Sequence, residues 1–314
     1  MNTQPYISLA DIQARPLPPG FETVSGPLPY NLLNDLMFRI VFEANQEALK
    51  ALLCSLLHLK ASDITELEIK NPIRFGEHVN DKKYIYDIYL LLNNQEKIHI
   101  ELQVLNQDFW TDRSLCYLCR DFGTLNVGEN YDQVKPLIQI DILDFDLYRD
   151  SKEFYSVYHF ANDKTGRIYS SKIALHVLEL NKEEYATEED KSYRIDYWAK
   201  LFKATTWEEL KALAQNETIL QSTIETMYRV SADDYTREEI RAREDELRVQ
   251  RTIDSQLAKR AKLIAEHEVT IANQEATIAE QESTIAEQES TIAEQNKRMA
   301  ELEAQIELLK AQMK

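Results

Sequence analysis

From Leu257 onward the chain repeats itself every seven residues: Thr277-Ile-Ala-Glu-Gln-Glu-Ser283 recurs at Thr284 and begins again at Thr291. Seven residues make almost two helical turns, so Leu257, Ile264, Ile271, Ile278, Ile285, Ile292, Met299, Ile306 and Met313 share one stripe. With this stripe at position a of a heptad, position d reads His267, Gln274, Gln281, Gln288 and Gln295 before it turns to Leu302 and Leu309. Half the seam is polar. A lone helix of this kind buries nothing, and the pattern predicts self-association through a parallel coiled coil over residues 257–313. Its d-site glutamines lower stability and favour one register. The competing reading is a solvated single helix held by charge pairs. If helical throughout, the segment is a rod of roughly 85 Å at 1.5 Å per residue.

The rest of the 314 residues must supply a core, and an apolar share of 44% suffices for one. Six glycines and eight prolines exclude low-complexity linkers and collagen-like repeats. No apolar run approaches the roughly 18 residues of a membrane span, and the first thirty residues lack a basic stretch followed by an apolar one. A cytoplasmic chain with no membrane partner is expected. Three cysteines, Cys54, Cys116 and Cys119, cannot build a disulfide framework. Cys116 and Cys119 spell C-x-x-C without a second pair, so they read as small buried hydrophobes within an amphipathic helix. The formal net charge of -18 divides into -8 for residues 1–180, -4 for 181–260 and -6 for 261–314. No segment is basic overall, which counts against a broad phosphate-binding footprint. A carboxylate cluster that holds a divalent cation would nonetheless make a nucleic-acid enzyme acidic where it works.

Residues 1–30 read as a flexible, proline-punctuated arm. Helical periodicity starts at Asn31, with Leu33, Leu36, Met37, Ile40 and Val41, and resumes over Glu47 to Leu59. A short strand is expected over Ile64 to Ile69. Two β-rich runs, Tyr84 to Leu92 and Ile98 to Val104, flank the polar Asn93 to Lys97 and read as a hairpin. Centring its turn on Gln95 pairs Leu92 with Ile98, Leu90 with Ile100 and Ile88 with Leu102. A helix over Phe109 to Val127, a buried strand over Lys135 to Phe145 and strands at Phe154 to Phe160 and Ile173 to Glu179 follow. This order describes an α/β domain with a mixed sheet over 31–182. Residues 183–235 read as a helical extension and 236–314 as one long helix.

The hairpin carries the chemistry. Its apolar face is continuous, and Asp87, Glu101 and Gln103 project from the other, where acidic residues go against strand propensity. Mg²⁺ needs hard oxygen ligands, often one or two carboxylates with waters and substrate phosphate. Asp87 and Glu101 suit that pair, a carbonyl near Leu102 could add an oxygen, and Gln103 could orient water or a phosphate oxygen. A cut phosphodiester bond would be the product. The competing reading is a face that is merely solvated.

Asn34-Asp-Leu-Met-Phe-Arg-Ile-Val-Phe42, Asp81-Lys-Lys83 leading to Asp87, and Ile100-Glu-Leu-Gln103 resemble the PD-(D/E)XK nuclease family transposases, also called recombination-promoting nucleases. The likeness continues through Arg113, Tyr117, Gly128 and Tyr131, then Pro136 to Leu143, and ends at Leu178-Glu-Leu-Asn-Lys182. The resemblance implies a restriction-endonuclease-like mixed sheet flanked by helices, with DNA as partner. It also implies Mg²⁺-dependent endonuclease activity, Mn²⁺ substituting, linked to recombination, mobile elements or defence. Asp87 and Glu101 match the motif's acidic, metal-binding positions, and Gln103 stands where the superfamily usually has lysine. An amide there supplies no positive charge and no general base. Asp35 either completes the metal site from the first helix or acts as a helix-terminal acid. Lys82 and Lys83 are candidates for phosphate contact. Arg113 and Tyr117 share a helix face and are candidates for orienting substrate, with Tyr117 alternatively a core residue. The competing function is an inactive nuclease core used as a binding, inhibitor or assembly module, and RNA is the competing substrate.

Overall fold

The computed structural model describes residues 9–70, 73–74, 84–85, 87–106, 109–123, 130–215 and 217–312. The helices are α1 (Leu9–Ala14), α2 (Asp35–Ala44), α3 (Gln46–Leu56), α4 (Trp110–Phe122), α5 (Glu188–Ser192), α6 (Ile195–Lys203), α7 (Trp207–Ala214), α8 (Thr218–Ala232) and α9 (Asp234–Gln312). The strands are β1 (Leu67–Ile69), β2 (Ile73–Arg74), β3 (Tyr84–Ile85), β4 (Ile88–Leu92), β5 (Glu96–Gln103), β6 (Leu137–Leu143), β7 (Tyr155–Tyr158) and β8 (Ile173–Glu179). Six of them form one mixed sheet in the order β1-β4-β5-β6-β8-β7, and β2 and β3 form a separate ribbon. The central pairs β5/β6 and β6/β8 are parallel, whereas β1/β4, β4/β5 and β7/β8 are antiparallel.

Strand alternation gives the sheet two different faces. Ile88, Leu90, Ile98, Ile100, Ile140, Ile142 and Leu178 point to one side and join a single core with Phe38, Phe42, Leu49, Leu52, Trp198, Phe202 and Met227 from the helices. Phe38, Phe42 and Phe202 lie with ring centroids 5.1 to 6.2 Å apart. Each such side chain removed from water contributes about 1.5–3 kcal/mol. Side-chain caps start α2 and α3: Asn34 accepts from the Met37 amide at 2.9 Å and Asn45 from the Ala48 amide at 3.0 Å.

Three expectations change. The hairpin register pairs Leu92 with Glu96, Leu90 with Ile98 and Ile88 with Ile100, two residues tighter than a turn centred on Gln95. Asn93 and Asn94 both take positive φ, 51° and 56°, and the Asn93 carboxamide ties the Thr65 and Glu66 amides to the turn. Asparagine tolerates that backbone, so the loop closes over three residues. Residues 9–30 are not a loose arm: Ile12 and Phe21 are buried and the Phe21 ring lies 5.3 Å from that of Tyr228. Gly26, at φ 83°, donates its amide to Glu208 at 2.9 Å, a turn that only glycine adopts without strain. Finally, Cys116 and Cys119 are exposed on α4 instead of buried, because the sheet-facing positions of that helix are Trp110, Ser114, Tyr117, Leu118 and Asp121.

The chain divides into two compact units, Met1–Arg243 and Glu244–Lys314. Helices α6, α7 and α8 share the core of the first unit. In the second, the α9 stripe of Ile271, Ile278, Ile285 and Ile292 is a little over half exposed.

Candidate active site

The second face of the sheet carries Tyr89 on β4, His99, Glu101 and Gln103 on β5, and Gln139 and Asp141 on β6. Glu101 stands beside Asp141 and His99 beside Gln139 in the parallel ladder. Asp87 immediately precedes β4, and continuing the β4/β5 register sets it level with Glu101, on the same face. Its Oδ2 accepts the Leu102 amide at 2.7 Å. The two-residue correction in register therefore keeps Asp87 and Glu101 together, since a shift by two preserves the face.

This face is covered, not solvated. Helix α4 lies over it, and Ser114 donates its hydroxyl to Asp141 Oδ2 at 2.6 Å while Gln139 donates to Ser114 Oγ at 3.0 Å and Asp141 Oδ1 at 2.9 Å. Almost two turns further on, Asp121 Oδ2 lies 3.1 Å from His99 Nε2 and 3.4 Å from Lys97 Nζ. Arg113 reaches Tyr117 Oη at 3.3 Å and lies 5.5 Å from the centroid of the Trp110 ring and 5.2 Å from that of Tyr117. The aromatic faces hold its charge next to the carboxylates.

Burial dominates the electrostatics. It pushes Asp87 up to about 6, with Asp35 adding to the rise and the Leu102 amide, Arg113 and Arg39 opposing it. Asp141 is likewise pushed to about 6, against the hydrogen bonds from Ser114, Gln139 and Trp110. Glu101 is raised well above the usual carboxylate range by burial and then by its neighbours Asp87 and Asp141, with Arg113 opposing. Its Oε1 is buried without a hydrogen-bond partner. A carboxylate oxygen left bare in low dielectric, between two more carboxylates, suits a hard cation that would relieve the repulsion. Among the described residues no group of three or more His, Cys, Asp or Glu side chains is gathered to hold a metal ion. One or two carboxylates with waters is a usual shell for Mg²⁺.

Of the residues singled out from sequence, Asp87, Glu101, Arg113 and Tyr117 are brought together. Tyr117 is also core, packed on Tyr89. Asp35 opens α2 and acts on Asp87 through its charge. Gln103 shares the face of Glu101 but donates its amide to the Leu105 carbonyl at 2.8 Å. Lys82 and Lys83 lie outside the described residues. Sequence reasoning missed His99, Asp121, Ser114, Gln139 and Asp141. The signal was present in Leu137-Ile-Gln-Ile-Asp-Ile142, where two polar residues two apart share one face of a buried strand, as His99, Glu101 and Gln103 do.

No curated protein and no solved structure matches the chain. The family model described as PD-(D/E)XK nuclease family transposase matches residues 32–261, which includes the whole sheet, the acidic face and the helices that back it. Mixed six-stranded sheet, flanking helices and family match agree, and the chain belongs to the PD-(D/E)XK nuclease family transposases.

Proposed function

We propose that the protein is a Mg²⁺-dependent DNA endonuclease, with Mn²⁺ able to substitute, that acts on mobile or recombining DNA and self-associates through residues 257–313. The observation that carries this reading is the bare, buried Oε1 of Glu101 between Asp87 and Asp141, on a hairpin whose Asp87 and Glu101 resemble the family's acidic positions. Asp87 and Glu101 would hold the ion, which when bound lowers the pKa of its water and offsets charge on the phosphoryl oxygens. Arg113, braced by Trp110 and Tyr117, orients the scissile phosphate. Asp35 adds negative charge from the start of α2, and Lys82 and Lys83 contact flanking phosphates. Gln103 orients water through its carboxamide oxygen while its amide stays on Leu105.

Nicking of supercoiled plasmid tests this. The parent chain is expected to nick with Mg²⁺ or Mn²⁺, and Asp87→Asn and Glu101→Gln are each expected to lose about 100-fold or more. Gln103, whose amide is already engaged and carries no charge, favours a second reading as an inactive binding module. No cleavage of DNA or labelled RNA under any divalent ion would favour that reading over the enzyme.

A further inference from the structure

The seam of α9 also dictates how two chains meet. We propose that residues 257–313 pair with the same residues of a second copy, parallel and in register, through alternating isoleucine and glutamine layers. This rests on the self-association proposed above and is independent of the nuclease reading.

Two seams are open to the isoleucine stripe: the glutamines three residues on, or the glutamates four residues on, such as Glu282 after Ile278. The second would bury a row of carboxylates, so glutamine lies in the seam and glutamate beside it. On the other flank stand Thr270, Thr277, Thr284 and Thr291. Their hydroxyls already donate to the carbonyls of Glu266, Asn273, Glu280 and Glu287 at 2.9 to 3.0 Å. That flank therefore meets a second helix without an unsatisfied donor.

Orientation follows from charge and amide chemistry. An antiparallel pair would set Glu268, Glu275, Glu282 and Glu289 against the same row of the second copy, and each glutamine opposite an isoleucine, where its amide finds no partner. A parallel pair sets the glutamates beside threonines, isoleucine on isoleucine and glutamine on glutamine. A carboxamide both donates and accepts, so like pairs with like. Register follows from the ends of the repeat. A slip of seven residues would face Gln295 with Leu302 of the second copy and His267 with Gln274, and only zero slip closes every glutamine layer on itself.

Disulfide trapping in the full chain tests this, with the exposed Cys116 and Cys119 replaced by serine. Gln274→Cys and Gln295→Cys are introduced in separate chains. Each is expected to give a covalent dimer linked at its own position by peptide mass spectrometry, with light scattering at twice 36.6 kDa. Ile278→Asp with Ile285→Asp should abolish trapping, and Asp87→Ala should leave it unchanged, which separates this result from failure of the nuclease reading. An antiparallel pair can trap at most one of the two positions. Trapping at only one, or a monomer by light scattering, overturns the proposal.

Discussion

Asp87 accepts one amide hydrogen bond while Glu101 Oε1 accepts none, and burial outweighs the opposing charge of Arg113 at both carboxylates. The folded chain therefore binds a proton at Asp87 more readily than the unfolded chain, at about 6 against an ordinary 3.8. The sign is clear: this group's contribution to stability is greatest at low pH and is lost as pH rises through 6. Asp87→Asn keeps an acceptor for the Leu102 amide and removes the charge. The variant is expected to be more stable than the parent by about 1–3 kcal/mol at pH 7.5 and by much less at pH 4.5, read from urea melts without divalent ions. An equal difference at both pH values would contradict the electrostatic account. That Asp87 and Glu101 share a face was legible in the alternation of the hairpin, because face depends only on parity; that they stand level was not, since a turn centred on Gln95 sets Asp87 opposite Gln103. Asp141 was passed over although its spacing from Gln139 put two polar groups on one face, because the apolar residues around them make Leu137–Leu143 read first as a buried strand.

Helix α4 is joined to the sheet by polar contacts as much as by packing. Ser114 bridges Asp141 and Gln139, and its neighbour Arg113 is held over the carboxylates by that anchor. Ser114→Ala would leave a buried carboxylate and a buried amide each short of a partner, at a cost of about 1.5–3 kcal/mol. Cleavage by this variant is expected to fall through KM more than kcat if Arg113 only positions phosphate, which steady-state nicking rates would show. Here sequence reading found the helix and the shared face of Arg113 and Tyr117 but sent its cysteines to the wrong side. The periodicity alone did not reveal that Ser114 and Asp121 face inward, because polar residues turn toward a sheet only when that sheet offers partners such as Asp141 and His99. The hairpin turn shows the same limit. Two asparagines in left-handed backbone tightened it, and the side-chain bonds of Asn93 to the segment before β1 come from 27 and 28 residues away.

Across the molecule, a net charge of -18 sits uneasily with a DNA substrate unless the acidic site is neutralised where it works. The fold class, the order of elements and the long C-terminal helix were readable from periodicity, whereas the packing of residues 9–30 depends on Tyr228 and Glu208, some 180 to 210 residues later, and left no local pattern. The most direct test of the central claim is calorimetric titration of the full chain with Mn²⁺ at pH 7.5. One site per chain is expected in the parent, with proton release that grows as the titration is repeated toward pH 6, and no site in Glu101→Gln. No binding by the parent, or binding that survives Glu101→Gln unchanged, would contradict a metal held between Asp87 and Glu101.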